Sequence, residues 1–382
     1  MCKQGGEVAD SRSEAGTPDS SSDGEGGIRA RIAVLPGDGV GPEVVAAGLQ
    51  VLQAAMRLDR TLKLEFDELP WNSNYYRAHG RMMPEDGLDR LREYDAIYLG
   101  AVGDPALPFH VPVWGLILPI RQAFDQYVNL RPVRLLHGVR GVLRDAVAPD
   151  IDMLVVRENT EGEYAGKGDL LFPGTPRETA LQTAVYSRHG VERVVRYAFE
   201  LARKEGRPLA SVSKANALNY SGVFWDRIVD EISFDYPDVP AETLLVDAAA
   251  LYMVTQPQRF GIIVAPNLYG DILTDLGAGI AGGMGLAASA NLNPEGTAPS
   301  MFEPIHGSAP DIAGKGMANP LAAIWAAAMM LGHLGRPDWE ERIVGAIESV
   351  VERGACLTRD LGGTAGTAEV TQAVAAALSE AV

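Results

Sequence analysis

Three aspartates in this sequence have the spacing and surroundings of a metal site. Asp247 follows the strand-like segment 243–246, and Asp271 and Asp275 lie four residues apart on a helix predicted after Asn267. Residues four apart share one face of a helix, so the two carboxylates repel each other unless a cation lies between them. Carboxylates without cysteine or histidine ligands are typical of Mg²⁺ or Mn²⁺ sites and argue against zinc. Taken alone, Asp271 is explained equally well as part of a solvated helix start, where it favours the helix dipole.

Three arginines lie beside apolar segments in a chain that is otherwise acidic. Arg121 shares a predicted helix face with Trp114 and Ile117, whereas Arg131 and Arg157 lie in or after strand-like runs. A buried guanidinium needs an anionic partner, and its planar fork matches a carboxylate with two hydrogen bonds. The set therefore indicates a site for a small carboxylate. Each arginine taken singly is explained better by an internal salt bridge.

A lysine and a tyrosine are candidates for proton transfer. Lys214 follows the run 210–213, which changes from apolar to polar and reads as the end of a strand. Burial and cationic neighbours at such a position lower the pKa of a lysine toward the range of a base. Tyr164 closes the motif Glu-Gly-Glu-Tyr. Taken alone, a surface lysine and a packed tyrosine are the more common explanations.

Two glycine-rich segments resemble nucleotide-binding loops to different degrees. Residues 37–43 read GDGVGPE, with Pro42 where the dinucleotide fingerprint needs a third small residue and Asp38 where a phosphate would approach. A tight turn explains this segment better than a phosphate-binding loop does. Residues 303–316 form a loop rich in glycine, proline and small polar residues, suited to wrapping an adenine and a ribose. Asp311 within it favours NAD over NADP, because an acid repels a 2′-phosphate.

The elements that must position these residues alternate between strand-like and helix-like segments, which predicts βαβ units and an α/β fold. Strands are predicted at 31–35, 62–69, 94–99, 153–156, 210–213, 243–246 and 261–264, and helices at 42–58, 190–205, 321–334 and 339–353. Residues 161–183 break this pattern and predict a hairpin or arm at a subunit contact. Residues 277–289 are small, and residues 291–319 are predicted to be rich in turns.

Composition narrows the class of protein. The 382 residues suggest two domains or one large α/β unit, and 47% hydrophobic with 22% charged residues is ordinary for a globular chain without a membrane span. A net charge of −17 opposes nucleic acid and suits a protein that attracts cations. Two cysteines, Cys2 and Cys356, and no visible secretory signal predict a cytoplasmic protein. Residues 1–27 are predicted to be a disordered tail.

Together the motifs resemble the metal-dependent β-decarboxylating dehydrogenases, the family of isopropylmalate, isocitrate, and tartrate or D-malate dehydrogenases. The segments that carry the resemblance stand in the family's order from about Arg29 to the C-terminus: 35–43, 129–132, 156–164, 214–216, 266–275 and 303–320. The resemblance implies a two-domain α/β fold on an open mixed sheet of the isopropylmalate dehydrogenase type, not a standard Rossmann fold. It implies a larger, cofactor-binding domain of residues 28–126 and 282–382. Residues 127–281 would form a smaller substrate, metal and dimerisation domain, with its arm near 161–183.

The resemblance also implies roles for individual residues. Substrate would be bound by Arg121, Arg131, Arg157, Ile117 and Trp114, and Mg²⁺ or Mn²⁺ by Asp247, Asp271 and Asp275. Lys214 would act as the base and Tyr164 as the acid. NAD would be bound by Glu303, His306, Gly307, Ser308, Ala309, Asp311, Ile312 and Asn319. Family members are homodimers with shared sites, so Lys214 and Asp247 would reach a substrate held mainly by the neighbouring subunit.

The substrate branch is predicted from one helix face and two further motifs. Isocitrate enzymes carry Ser and Asn where this chain has Gly115 and Ile117, and isopropylmalate enzymes carry an acid where Trp114 stands. Residues 157–164 and 299–302 resemble the tartrate or D-malate branch. We therefore predict NAD-dependent oxidative decarboxylation of D-malate or tartrate. The alternatives are 3-isopropylmalate dehydrogenase and, from another class, a non-catalytic paralogue that binds a nucleotide or a protein partner.

Overall fold

The computed structural model describes residues 27–144, 146–148 and 150–380. The predicted disordered tail lies outside the described residues, apart from Gly27. The strands are β1 Ile28–Leu35, β2 Leu62–Glu68, β3 Ala96–Leu99, β4 Val128–Arg134, β5 Asp152–Glu158, β6 Gly162–Leu171, β7 Thr179–Val185, β8 Leu209–Ser213, β9 Ala241–Leu245, β10 Ile262–Ala265, β11 Ala288–Leu292 and β12 Ser300–Pro304.

The longer helices are α1 Gly41–Leu58, α6 Arg188–Glu205, α7 Ser221–Ser233, α8 Val246–Thr255, α9 Asn267–Ile280, α10 Leu321–His333, α11 Pro337–Arg353 and α12 Thr367–Glu380. Shorter ones are α2 Ser73–His79, α3 Gly87–Leu91, α4 His110–Pro112 and α5 Leu118–Ala123, with a π-helical segment at Val113–Ile117 between the last two. None of the helices in the described part of the chain combines the length and apolar composition that a bilayer crossing requires.

Ten strands form one mixed sheet, which confirms the predicted α/β fold. Their order is β2-β1-β3-β12-β11-β4-β5-β10-β8-β9. Neighbours are parallel except around the centre, where β11 is antiparallel to β12 and β4, and β4 is antiparallel to β5. Strands from residues 28–126 and 282–382 occupy one half of the sheet, and strands from residues 127–281 occupy the other. The division into two domains at these boundaries stays a prediction.

Strands β4, β11 and β12, which lie together at the centre of the sheet, are absent from the strands predicted from the sequence. The expectation that residues 291–319 are only turn-rich was wrong for Ser300–Pro304, which is a fully buried strand. β11 begins at the end of the region read as small residues and runs into the region read as turn-rich. Both β11 and β12 are only five residues long and contain Ser, Asn or Pro in place of β-branched residues. Short segments of this composition give no period-2 signal.

The helices follow from local signals and from burial. Pro42 lies in the first turn of α1, where its missing N–H costs no hydrogen bond. The Ser187 side chain accepts a hydrogen bond from the Gly190 N–H at the start of α6, and Gly206 ends that helix in the left-handed conformation at φ 64°. Helix α10 has eleven of its thirteen residues buried. It is apolar on every side because it packs between α1, α11 and the sheet.

Residues 161–183, the predicted arm, contain most of a separate two-stranded antiparallel sheet formed by β6 and β7. The register shifts between Gly162 and Lys167, so the strand bends at its base. Large apolar side chains on the hairpin are exposed, among them Leu170, Phe172 and Leu181. An arm of this composition is typical of a surface that another chain covers.

Glu340 makes the stability of the fold depend on pH. Burial, followed by repulsion from Glu341 and Glu205, raises the pKa of this half-buried side chain on α11 to about 7. Its pKa in the unfolded chain is lower, so the folded state binds more protons and stability falls as pH rises from about 4.5 to about 7. We expect Glu340→Gln to raise the free energy of unfolding by about 1–3 kcal/mol at pH 8 and by less at pH 5.

Urea denaturation at the two pH values measures this effect. Glu352→Gln on the same helix is the matched control, because Glu352 is exposed and the same exchange there should leave the pH dependence unchanged. An equal pH dependence in the parent protein and in Glu340→Gln would contradict the assignment.

Candidate active site

The three arginines predicted to bind a carboxylate converge on one cavity of about 390 Å³. Its lining includes Trp114, Ile117, Arg121, Arg131, Arg157, Tyr164, Asp271 and Glu303. These residues come from segments that are far apart in the chain, from Trp114 to Glu303. All eight had been singled out from the sequence.

Strand pairing places Arg131 and Arg157 side by side. Arg131 on β4 is opposite Val155 on β5, and Arg157 is two residues farther along β5. Side chains two residues apart on a strand point to the same face, so both guanidiniums project from one face of the sheet. Arg121 reaches them from α5, directly after the π-helical segment. Such π-helical insertions often occur at functional sites because they reorient the side chains that they carry.

The arginines carry more positive charge than their protein partners neutralise. Arg131 Nη1 donates to Asp271 Oδ1 at 3.2 Å, and Arg157 Nη1 donates to the same oxygen. Arg121 Nη2 donates to Glu303 Oε1 at 2.7 Å. Among the residues that line the cavity, three guanidiniums therefore face two carboxylates, an excess of one positive charge, and Asp275 acts on Arg131 from outside this lining. Burial lowers the pKa of Arg131 and Arg157, so a bound anion would stabilise both.

Asp271 and Asp275 differ in their protonation tendencies. Burial acts to raise the pKa of Asp271, but Arg157 and Arg131 outweigh it and hold that pKa below its usual range. Asp275 has a raised pKa because of burial and then of the charge on Asp271. The repulsion predicted from their spacing is therefore present, and a cation between them would relieve it.

Lys214 and Asp247 form a pair of their own, away from this cavity. The Lys214 Nζ donates to Asp247 Oδ1, and this contact holds the pKa of Asp247 below its usual range. Within the described residues, neither of them lines the arginine cavity, and no three acids, histidines or cysteines come close enough to bind one metal ion. The oxygen donors of Asp271 and Asp275 suit Mg²⁺ or Mn²⁺. One chain therefore brings together two of the three predicted metal ligands, Asp271 and Asp275, but not Asp247.

Tyr164 contacts both an acidic and a basic residue of the cavity. Its hydroxyl donates to Asp271 Oδ2 at 3.3 Å, and the Arg157 guanidinium carbon lies 5.7 Å from the centre of its ring. Burial and then the Asp271 charge raise its pKa. The phenol therefore stays protonated at neutral pH and keeps a proton that it can donate.

A second cavity of about 520 Å³ adjoins the first, and both are lined by His306 and Gly307. Ala309, Ile312 and Asn319, also predicted from the sequence, line the second cavity. The His306 Nε2 is buried without a hydrogen-bond partner among the described residues, and burial lowers the pKa of this imidazole. An orphaned polar atom between two cavities suits a ligand that extends through both, such as a dinucleotide.

Two of the predicted cofactor residues lie elsewhere. Among the described residues, Ser308 and Asp311 belong to neither lining. Ser308 is buried, with its carbonyl accepting from the Val40 N–H at 2.8 Å. Asp311 is exposed, and its carbonyl accepts from Lys315 Nζ. Discrimination against a 2′-phosphate by Asp311 stays a prediction.

Several residues that line or support these cavities were not predicted from the sequence. The second cavity is also lined by Val40, Gly285, Met317, Ala318, Arg359 and Asp360. Asp360 accepts from Asn319 Nδ2 at 2.8 Å and thereby fixes a predicted residue. Asn291 is fully buried on β11, and its Nδ2 donates to Glu303 Oε1 at 2.8 Å. These contacts join distant parts of the chain, so no local pattern signals them.

The first glycine-rich segment is a packing turn, as the sequence favoured. The Asp38 carboxylate accepts from the Ser73 N–H at 2.9 Å and from the Gly103 N–H at 2.9 Å. Gly39 has φ 58°, and a Cβ there would lie 1.9 Å from the Ser308 carbonyl oxygen. The turn therefore supports the 303–316 loop by backbone contact, which only glycine permits.

Comparison with known proteins agrees with this geometry. Residues 31–374 match the family model described as isocitrate/isopropylmalate dehydrogenase. The chain is 49% identical over 350 residues to a probable tartrate dehydrogenase/decarboxylase of Agrobacterium vitis, covering 91% of this chain and 98% of that relative. It is 50% identical over 352 residues to a 3-isopropylmalate dehydrogenase of Thermobifida fusca, covering 92% and 98%.

A solved structure supports the same assignment. The crystal structure of isocitrate dehydrogenase from Methylococcus capsulatus matches with a TM-score of 0.81 at 37% sequence identity, covering 91% of this chain and 99% of that chain. The open mixed sheet is accordingly of the isopropylmalate dehydrogenase type, as the resemblance implied. The chain belongs to the isocitrate/isopropylmalate dehydrogenase family and is a decarboxylating dehydrogenase.

Proposed function

We propose that this enzyme catalyses the NAD-dependent oxidative decarboxylation of a small 2-hydroxy diacid, D-malate or tartrate, with Mg²⁺ or Mn²⁺. The observation that carries the proposal is the buried arginine cavity, which has one positive charge in excess and opens beside the cavity at His306. A diacid supplies the anionic charge that the guanidiniums need. The name of the Agrobacterium vitis relative, a probable tartrate dehydrogenase/decarboxylase, agrees with this substrate class.

The Trp114 indole favours a four-carbon substrate. It lines the arginine cavity together with Ile117, so it fills space that a branched substituent would need. The second candidate is 3-isopropylmalate, because the Thermobifida fusca relative named for that activity is 50% identical to this chain. The two substrates differ by an apolar group at C3, so the size of this part of the cavity decides between them.

In the proposed reaction, the protein binds the diacid, moves two protons and holds the ring of the cofactor. Arg121, Arg131 and Arg157 bind the carboxylates, and Lys214 accepts the proton of the C2 hydroxyl. Tyr164, which remains protonated, donates a proton to C3 after CO₂ has left. NAD, when bound, accepts the hydride, and Glu303 would lie near its nicotinamide. A divalent cation, when bound by Asp247, Asp271 and Asp275, supplies electrophilic charge for both steps.

We further propose a cytoplasmic homodimer in which each site is completed by the partner. Lys214 and Asp247 lie outside their own chain's arginine cavity, yet the reaction needs a base and a third metal ligand there. Exposed apolar side chains lie close to these groups in the chain: Leu251 on the same helix as Asp247 and Ile272 beside Asp271. Exposed apolar surface of this kind is typical of an interface. A second copy would cover it and bring Lys214 to the substrate.

The proposal is tested by following NADH absorbance with Mn²⁺ and each of four acids: D-malate, tartrate, 3-isopropylmalate and isocitrate. We expect the highest kcat/KM with D-malate or tartrate, and NAD preferred over NADP. A clear preference for 3-isopropylmalate would establish the second candidate. Turnover of none of the four would contradict the proposal and favour the non-catalytic paralogue.

A further inference from the structure

The Trp114 indole contacts the backbone of the arm at Gly166. A Cβ added at Gly166 would lie 2.9 Å from Trp114 Cη2 and 3.0 Å from Cζ3, closer than side chains tolerate. Gly166 also has φ 68°, a conformation that favours glycine. The indole is part of the wall of the arginine cavity. The tip of its six-membered ring therefore contacts β6 from the wall of that cavity.

The backbone segment that carries the indole has little freedom to move away from the arm, although the Trp114 residue itself is 43% exposed. Trp114 belongs to the π-helical segment, and a Cβ on the neighbouring Gly115 would lie 2.7 Å from Met82 Cγ. The segment is therefore pressed against Met82, which is buried, and cannot retreat from the arm. On the arm side, Gly166 lies two residues after Tyr164, which lines the same cavity. The contact thus forms at the edge of the reaction centre.

We propose that Gly166 is a specificity-determining residue that acts through Trp114. The missing side chain lets the edge of the indole approach the arm closely, and the indole in that position limits the group that a substrate can carry at C3. This inference rests on the proposed function, because it explains how the cavity is restricted to a small 2-hydroxy diacid. Gly166 itself is a positioning residue, since the indole and not the glycine lines the cavity.

The size of the effect follows from what one apolar group contributes in a pocket. A misfit of a methylene group changes kcat/KM by about 10-fold to 200-fold. In Gly166→Ala, the methyl group and the indole cannot keep their positions together, so the ring must turn out of the wall or into the cavity. Either movement changes the ratio of kcat/KM for D-malate over 3-isopropylmalate. A general loss of folding would lower both values together and leave their ratio unchanged.

The test is a double-mutant cycle with Gly166→Ala, Trp114→Ala and the double variant, measured with both substrates. We expect Gly166→Ala to change the ratio at least about 10-fold when Trp114 is present and less than about twofold in the Trp114→Ala background. Gly174→Ala is the matched control. Gly174 lies on the same hairpin with φ 73° and has no atom within 4 Å of an added Cβ, so it carries the same backbone strain without the indole contact.

Tryptophan fluorescence provides a measurement that does not require turnover. Gly166→Ala should shift the emission of the parent protein but not that of Trp114→Ala, and Gly174→Ala should shift neither. The inference is overturned if Gly166→Ala changes the substrate ratio equally in both backgrounds, or no more than Gly174→Ala does. Failure of the parent enzyme to use any diacid would instead contradict the proposed function, and the fluorescence result would still test the contact.

Discussion

Lys214→Met is expected to lower kcat by at least about 100-fold, because a general base contributes about 10²-fold to 10⁴-fold to such a reaction. Methionine keeps an unbranched side chain, one atom shorter than that of lysine, but cannot accept the proton of the C2 hydroxyl. Lys214 lies outside the cavity that holds NAD in the proposed arrangement, so NAD binding should remain within a factor of about two of the parent. Steady-state NADH formation measures kcat, and fluorescence titration measures NAD binding.

Lys63→Met is the matched control for this exchange. Lys63 is exposed on β2, at the edge of the sheet opposite to the half that contains β8 and Lys214. Its replacement should leave kcat unchanged. A kcat of Lys214→Met within tenfold of the parent would remove the role assigned to this lysine.

Arg157→Gln is expected to lower kcat/KM for the diacid by roughly 100-fold or more, since removing one partner of a buried charge pair costs several kcal/mol. The Arg157 side chain is almost fully buried and bonds both Asn267 and Asp271. Glutamine can still hydrogen-bond there, but it has no charge to bind a carboxylate. We expect the loss mainly in KM, because the arginine binds substrate and does not transfer a proton.

Arg134→Gln controls for the loss of an arginine in this sheet. Arg134 ends β4 and its Nη2 donates to Glu348 Oε1 at 2.6 Å, away from the cavity lining. The Arg134→Gln exchange should reduce the stability of the protein slightly and leave KM for the diacid unchanged. If Arg157→Gln binds and turns over the diacid as well as Arg134→Gln does, the arginine cavity is not the substrate site.

Most of the outer strands and long helices were predictable because their signals are local. The alternation of apolar and polar residues, Pro42 at the start of α1 and Gly206 after α6 all act within a few residues. The central strands β11 and β12 were missed because their burial, and not their composition, makes them strands. The π-helical turn before α5 was also unexpected, since a helix of regular period was assumed there.

The chemical residues were found as a set, because each taken alone has an ordinary structural explanation and only the motifs together resemble the family. An arginine after a buried strand needs a partner, and the structure shows that Arg131 and Arg157 share Asp271. What the sequence could not give were contacts between distant segments, such as Asn291 with Glu303 or Trp114 with Gly166. These depend on strand order and on the path of the arm, which no single motif encodes.

Mixing two impaired variants tests most directly the central claim that each site is built from two chains. Equal amounts of Lys214→Met and Arg157→Gln are denatured together, refolded and assayed with NAD, Mn²⁺ and D-malate near the KM of the parent, where an Arg157→Gln site of raised KM is almost idle. In a hybrid dimer one site receives both intact residues, so random pairing should restore about a quarter of the parental activity. Each variant refolded alone should show no more than about 2% of the parental activity under these conditions, since each loses roughly 100-fold. Absence of any regained activity in mixtures shown to contain hybrid dimers would contradict the account.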